Sequence, residues 1–279
     1  MRWPWTKKGT PTSTNPAGGG IPLTLGVTEA GHDLVIDLAD ATHWAIQGMT
    51  RSGKSVLTYV LLAQLAARDD VVVAGLDPTG VLLGPWEGKP RSELRHLGTS
   101  DMSQAGEVLT QALGEMEARI SRLLTSYKDK ISSFSAAEPL LVVVLEEYPG
   151  LLKAADMDDK ANARKPADRV RPKIEAAVSR LIAEGAKVGV RVLTLAQRMD
   201  ASIIGGAERS NVGGRITLRV DNADAVRMLH PNAPPEVIEA AAYFGPGHGV
   251  IETPGRPLAR FRADYLDYAE YVRRVTGRD

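Results

Sequence analysis

Residues Gly48-Met49-Thr50-Arg51-Ser52-Gly53-Lys54-Ser55 fit the pattern G-x-x-x-x-G-K-[ST]. The short apolar run Trp44-Ala45-Ile46-Gln47 precedes them, and the helix-forming stretch Ser55 to Arg68 follows. Two glycines at this spacing let a loop wrap closely, so that successive backbone N–H groups face one point. A helix N-terminus and the Lys54 amino group bring positive charge to the same point. Such a cradle suits phosphate. Gly48, Thr50, Arg51, Ser52, Gly53, Lys54, Ser55 and Val56 would line it, with Lys54 reaching the β- and γ-phosphates and Ser55 offering its hydroxyl to Mg²⁺. The plainer alternative is a Gly-rich turn with an exposed lysine.

Phosphate-cleaving loops of this kind need an acidic site at the end of a buried strand. The run Leu140-Leu141-Val142-Val143-Val144-Leu145 is apolar throughout and ends in Glu146-Glu147. The first acid would hold Mg²⁺ through its water shell, and the second would polarise the attacking water. Glu146 stands where an aspartate is usual, one methylene longer. A strand followed by two solvated acids is the other reading of the same residues. Taken together, the two motifs predict binding of ATP with Mg²⁺ and its hydrolysis, with Lys54 and Glu147 in catalytic roles.

The remaining pattern must position these groups. Strands are expected over 43–47, 71–76, 140–145, 190–195 and 216–220, with shorter ones at Val250–Ile251 and Ala259–Phe261. Helices are expected near 55–68, 104–127, 171–187 and 235–242. Alternation of this kind is the signature of βαβ units around a parallel sheet, and all-apolar strands are those covered on both faces. Residues 1–20, rich in Thr, Pro, Gly and Lys, read as a flexible lead-in. Residues 21–263 read as one large domain and 264–279 as a C-terminal helix, with Tyr265, Tyr268 and Tyr271 spaced as a docking face. The charged stretch 153–173 reads as a long loop, with Lys160, Arg164, Lys165, Arg169, Arg171 and Lys173 available to DNA or a partner.

Composition removes other classes. The 279 residues carry 34 Lys+Arg against 34 Asp+Glu and no cysteine, which excludes disulfides, thiolate metal sites and cysteine nucleophiles. No stretch is long and apolar enough to cross a membrane, and no secretory leader is evident, so the cytoplasm is expected. His43, His96, His230 and His248 show no metal-ligand spacing. The zero net charge hides an uneven distribution, since fourteen basic residues face seven acidic ones between Lys160 and Arg227. A local excess of that size could be a DNA track, or scattered solvated side chains.

Several segments together resemble the FtsK/SpoIIIE family of DNA translocases. They are Leu76-Asp77-Pro78, the helical Glu115-Met116-Glu117-Ala118-Arg119, Gly185 through Arg198, Asn211 through Val220, and the turn Gly245-Pro246-Gly247-His248-Gly249, in the family's order. The likeness covers about Asp37 to Ile251 and is nearest to the plasmid-transfer members. It implies an α/β P-loop NTPase of the RecA-like kind, with a mainly parallel central sheet flanked by helices. It also implies an ATP-driven motor on double-stranded DNA, acting as a homo-hexameric ring. Gln197 would then be the polar sensor of the γ-phosphate. Arg198, Arg209, Arg219 and Arg227 would lie on the loops that face DNA. The family's trans-acting arginine aligns with Ala186, leaving Lys187 or Arg180 as the basic groups nearby in sequence. Two other classes stay open: a genome-packaging or secretion ATPase, and a nucleotide-binding regulator with weak or lost hydrolysis.

Overall fold

A computed structural model describes residues 19–199 and 206–278. Trp3, Trp5 and nearly all of the expected lead-in lie outside the described residues. In chain order the elements are β1 (Pro22–Thr28), β2 (Asp33–Asp37), β3 (Trp44–Gln47), α1 (Lys54–Leu65), β4 (Val71–Asp77), β5 (Arg95–Leu97), α2 (Met102–Ser126) and β6 (Leu140–Leu145). There follow α3 (Tyr148–Ala161), α4 (Val170–Glu184), β7 (Val190–Ala196), α5 (Gly206–Asn211), β8 (Gly214–Thr217), α6 (Ala223–Leu229), α7 (Pro235–Ala240), β9 (His248–Thr253), β10 (Arg256–Ala263) and α8 (Tyr268–Thr276).

The strands form one sheet in the order β2-β1-β10-β9-β8-β3-β7-β6-β4-β5. From β8 to β5 every neighbouring pair is parallel, and from β9 to β2 every pair is antiparallel. This is the expected α/β P-loop fold with a mainly parallel centre. The pleat of β6 shows why the centre is apolar throughout: Leu140, Val142 and Val144 face one core cluster, and Leu141, Val143 and Leu145 face the other. One cluster packs under α1 and α8, the second under α2, α3 and α4.

Most expected strands and helices stand within a few residues of their predicted bounds; β8 is the exception, ending at Thr217 rather than Val220. The antiparallel pair β1 and β2, the edge strand β5, the short helices α5 and α6 and the helix α3 were not anticipated. The expected loop at 153–173 is overturned. Residues up to Ala161 continue α3, which buries Leu151, Leu152 and Ala155 and carries Asp159 inward on the same face. Asp159 accepts hydrogen bonds from the Val170 and Arg171 N–H groups at 2.7 and 3.1 Å, capping α4 and closing a short connection. The charges that disguised this helix are spent locally: Lys160 pairs with Asp156, Arg164 with Asp158 and Arg171 with Glu175.

Helix α8 docks through a buried aromatic contact. Tyr271 stacks on Tyr59 of α1 with ring centroids 4.7 Å apart, and Tyr268 tilts against both rings. Tyr265 precedes the helix and is exposed, so only two of the three expected tyrosines form the docking face. The Tyr271 hydroxyl donates to the Leu82 carbonyl at 2.6 Å and accepts from Trp86 Nε1 at 2.9 Å. Tyr271→Phe keeps the ring but strands a buried N–H and a buried carbonyl, so unfolding free energy should drop by about 1–3 kcal/mol. Denaturant melts of the two proteins check this, and an unchanged midpoint would show that the hydroxyl contributes nothing.

Candidate nucleotide site

The loop after β3 takes the cradle shape. Gly48 N–H donates to the Ala196 carbonyl at 3.2 Å and Met49 N–H to the Arg219 carbonyl at 2.9 Å, fixing the loop's start to the ends of β7 and β8. Arg51 and Gly53 both have positive φ, 63° and 94°. A side chain at Gly53 would strike the backbone of Gly247, and one at Gly48 would strike the Ser52 hydroxyl. Ser52 is fully buried, its carbonyl accepts from Gly247 N–H at 2.8 Å, and its hydroxyl has no partner among the described residues. Helix α1 starts at Lys54 with no side-chain cap and no acid in its first turn. A helix of 12 residues with an uncapped, unopposed N-terminus behind a left-handed loop fits an anion. Thr50, Arg51 and Ser55 line its exposed side, while Val56 is half-buried.

Sheet order delivers the acids. β7 lies between β3 and β6, so the ends of three parallel strands converge there. Glu147 adopts a left-handed conformation, φ 46°, at the start of α3, a strained geometry for a residue other than glycine. It places Glu147 Oε2 2.9 Å from Lys54 Nζ, while Oε1 accepts a long 3.4 Å hydrogen bond from Gln197 N–H. Glu146 is half-buried, and that burial pushes its carboxyl up to about 7; Lys54 opposes the rise, and Asp77 and Glu147 add to it. Asp77, at the end of β4, is fully buried and its oxygens are occupied by Thr79, Leu82 and Leu83. It closes a turn and is not free to ligate.

The expected site residues separate into groups. Lys54, Glu147 and Gln197 meet, although it is the Gln197 backbone that touches Glu147 and its side chain is exposed. Arg198 follows and is exposed. Arg209 is half-buried at the end of α5, and the segment between them, 200–205, lies outside the described residues. Arg219 goes elsewhere: its guanidinium donates to the Arg51 carbonyl at 2.9 Å, against the phosphate loop. Arg227 sits on α6, exposed and paired with Asp224 at 3.2 Å. The basic excess between 160 and 227 is therefore not one track. Arg191 is wholly interior, donating to the carbonyls of Leu38, Ala39, Ala186 and Val190, and Arg180 pairs with Glu117 and Glu184.

Sequence reading missed a cleft of about 520 Å³ beside the loop, walled by Gly53, Val56, Pro246, Gly247, Arg262 and Tyr265. It is roomy enough for the rest of a nucleotide, and the exposed Tyr265 offers it an aromatic face. The signal available was the aromatic just after β10, which instead read as part of a helical tyrosine stripe.

The half-buried Glu146 gives a pH test. Its carboxyl is raised from 4.5 to about 7, so the folded protein keeps a proton that the unfolded chain has released. Stability is therefore full at low pH for this group and declines as pH rises from about 4.5 through 7, by about 1–3 kcal/mol. Glu146→Gln should raise the melting temperature of the nucleotide-free protein at pH 8 and leave it nearly unchanged at pH 5. Equal changes at both pH values would contradict the buried-carboxyl account.

The FtsK/SpoIIIE family model matches residues 8–241. Among curated relatives, DNA translocase FtsK of Borreliella burgdorferi is 29% identical over 225 residues, spanning 75% of this chain and 26% of that protein. DNA translocase SftA of Bacillus subtilis is 29% identical over 218 residues, spanning 72% of this chain and 21% of that protein. The chain thus covers only about a quarter of the length of these relatives. Among solved structures, the pCW3 conjugation coupling protein TcpA with ATPγS superposes with a TM-score of 0.72 at 22% identity, covering 92% of this chain and 68% of that one. The cytoplasmic domain of the Thermomonospora curvata type VII secretion ATPase EccC gives 0.69 at 20% identity, covering 95% and 31%. With a P-loop, an acidic strand end and a family match that spans eight of the ten strands of the sheet, this chain belongs to the FtsK/SpoIIIE family.

Proposed function

We propose that this chain is the motor core of an ATP-dependent double-stranded DNA translocase, working as a homo-hexameric ring in the cytoplasm on the DNA of a plasmid, phage or integrative element. The observation that carries the reading is the meeting of Lys54, Glu147 and Gln197 at adjacent strand ends, with Arg198 next in the chain. A nucleotide-responsive point and a phosphate-seeking side chain are then one residue apart. The relatives named as DNA translocases and the likeness to a conjugation coupling protein support the choice of substrate. Among the described residues no helix is long and apolar enough to cross a membrane.

In this reading the amides of the loop and Lys54 hold the ATP phosphates, and the Tyr265 cleft takes the base. Ser55 and Glu146 would hold Mg²⁺, which would neutralise phosphate charge. Glu147 orients the attacking water. Lys54 must leave Glu147 to meet phosphate, so nucleotide entry frees the acid as it engages the lysine. Arg198, Arg209 and Arg227 contact DNA phosphates, which carry no sequence information and suit a sliding motor. Arg219, held against Arg51, acts closer to the nucleotide than to DNA.

Steady-state ATP turnover with and without linear duplex DNA at low salt tests the proposal. Duplex should stimulate turnover, and stimulation should fall steeply with added salt. Lys54→Ala should reduce turnover to background; unchanged turnover would refute the nucleotide-site assignment. Arg198→Ala should lower duplex-stimulated turnover roughly fivefold and basal turnover much less. Equal loss of both would move Arg198 from the DNA track to the nucleotide site. Nucleotide binding without turnover under any of these conditions would favour the regulator reading, and stimulation by a protein substrate in place of duplex would favour a secretion ATPase.

A further inference from the structure

Directly behind the phosphate loop lies a buried polar chain that the nucleotide site does not use. Gln47, the last residue of β3, is fully buried. Its Oε1 accepts from Met199 N–H at 3.0 Å. Its Nε2 donates to the Ala225 carbonyl at 2.7 Å and to Thr217 Oγ1 at 2.9 Å. Thr217 Oγ1 lies 2.9 Å from His230 Nε2, and His230 Nδ1 lies 2.9 Å from Glu252 Oε2. Thr217 and His230 are fully buried as well.

The donors and acceptors settle one arrangement. Met199 N–H can only donate, so the Gln47 oxygen must face it, and the amide nitrogen then points at a carbonyl and a hydroxyl. Thr217 Oγ1 accepts from Gln47 and pairs with His230 Nε2, and the other ring nitrogen of His230 pairs with the Glu252 carboxylate. The chain of contacts is thus unbroken from Gln47 to Glu252. In a dry interior such a network holds its members rigidly, because breaking any link strands a polar group.

What Gln47 joins is the point. Met199 follows the Gln197–Arg198 pair, which also touches Glu147. Ala225 belongs to α6, which carries Arg227, and Gly48 of the phosphate loop is the residue after Gln47. One side chain thus ties the base of the nucleotide loop to both a segment bearing Arg198 and a helix bearing Arg227. We propose that Gln47 is a positioning residue, oriented by Thr217 and His230, that holds the two arginine-bearing segments in register with the phosphate loop and so transmits nucleotide state to them. The part concerning DNA rests on the translocase reading above; the positioning itself does not.

Three variants test it: Gln47→Met, which keeps length without polar atoms; Thr217→Val, which keeps shape without the hydroxyl; and Thr217→Ser, which keeps the hydroxyl. Amide hydrogen exchange should quicken about tenfold in peptides covering Gln197–Met199 and α6 in Gln47→Met, the size of one lost buried hydrogen bond. Titration with a fluorescent ATP analogue should give an affinity within about twofold of wild type, while duplex stimulation falls roughly fivefold or more. Thr217→Val should follow Gln47→Met, and Thr217→Ser should return toward wild type. Unchanged exchange at both segments would overturn the proposal. So would identical behaviour of Thr217→Val and Thr217→Ser, or a loss of nucleotide affinity in step with a general fall in melting temperature. Should the wild type show no stimulation by duplex, the translocase reading fails, and the exchange data alone decide whether Gln47 positions these segments.

Discussion

Lys54 and Glu147 are 93 residues apart in the chain and their side chains are 2.9 Å apart in space. That approach is the constraint around which the rest is arranged. It requires a parallel sheet in which β7 separates β3 from β6, and it requires Glu147 to leave the strand in a left-handed turn. Parallel neighbours need long crossovers, which α1, α2, α3 and α4 supply while covering both faces. An acid and a lysine held in contact near the interior satisfy each other, so neither is left as an unpaired charge. The antiparallel strands add the roof. The turn before β9 bonds to Ser52 and forces glycine at position 53.

Arginine does unusual structural work in this molecule. Arg95, Arg119 and Arg191 are all buried, and their guanidinium groups bond mainly to backbone carbonyls at strand ends and loops. Burial brings the Arg191 group down to about 10, opposed by the charges of Asp40 and Asp37, so it stays charged at neutral pH. The nearby His43 is driven the same way: burial and Arg191 lower it to about 4, so it stays neutral and accepts from Val192 N–H. Charge counted along a sequence therefore overstates what the surface offers to DNA.

Legibility followed local chemistry. The phosphate loop, the acidic pair and five of the six parallel strands announce themselves because glycine spacing, terminal acids and apolar runs are each enforced at one place. Helix α3 was hidden because it is crowded with charges whose partners sit on the same helix or just beyond it, Lys160 for Asp156 and Arg164 for Asp158, so its apolar face was diluted. β1 and β2 escaped because turn-forming residues, Gly26, Asp33 and Asp37, fall within them, and the inner partner of β1, β10, is far away in sequence. The tyrosine cleft and the fate of Arg219 were out of reach for a different reason. Both depend on which strand ends are neighbours, and periodicity says nothing about that.

The pairing of β1 with β10 carries a consequence for how the protein comes into being. Gly26 lies opposite Ala263, so β1 finds its inner partner only after every element between them has been made. The roof over the phosphate loop arrives equally late, since Gly247 N–H and the strand that follows it complete the loop's environment. Contacts of such long sequence separation close slowly. During synthesis the central parallel strands stand with an unsatisfied edge at β8 until β9 docks. Until β9 and β10 dock, the surroundings of the phosphate loop are incomplete and the β8 edge stands open, and those two strands are what seal it against pairing with another copy.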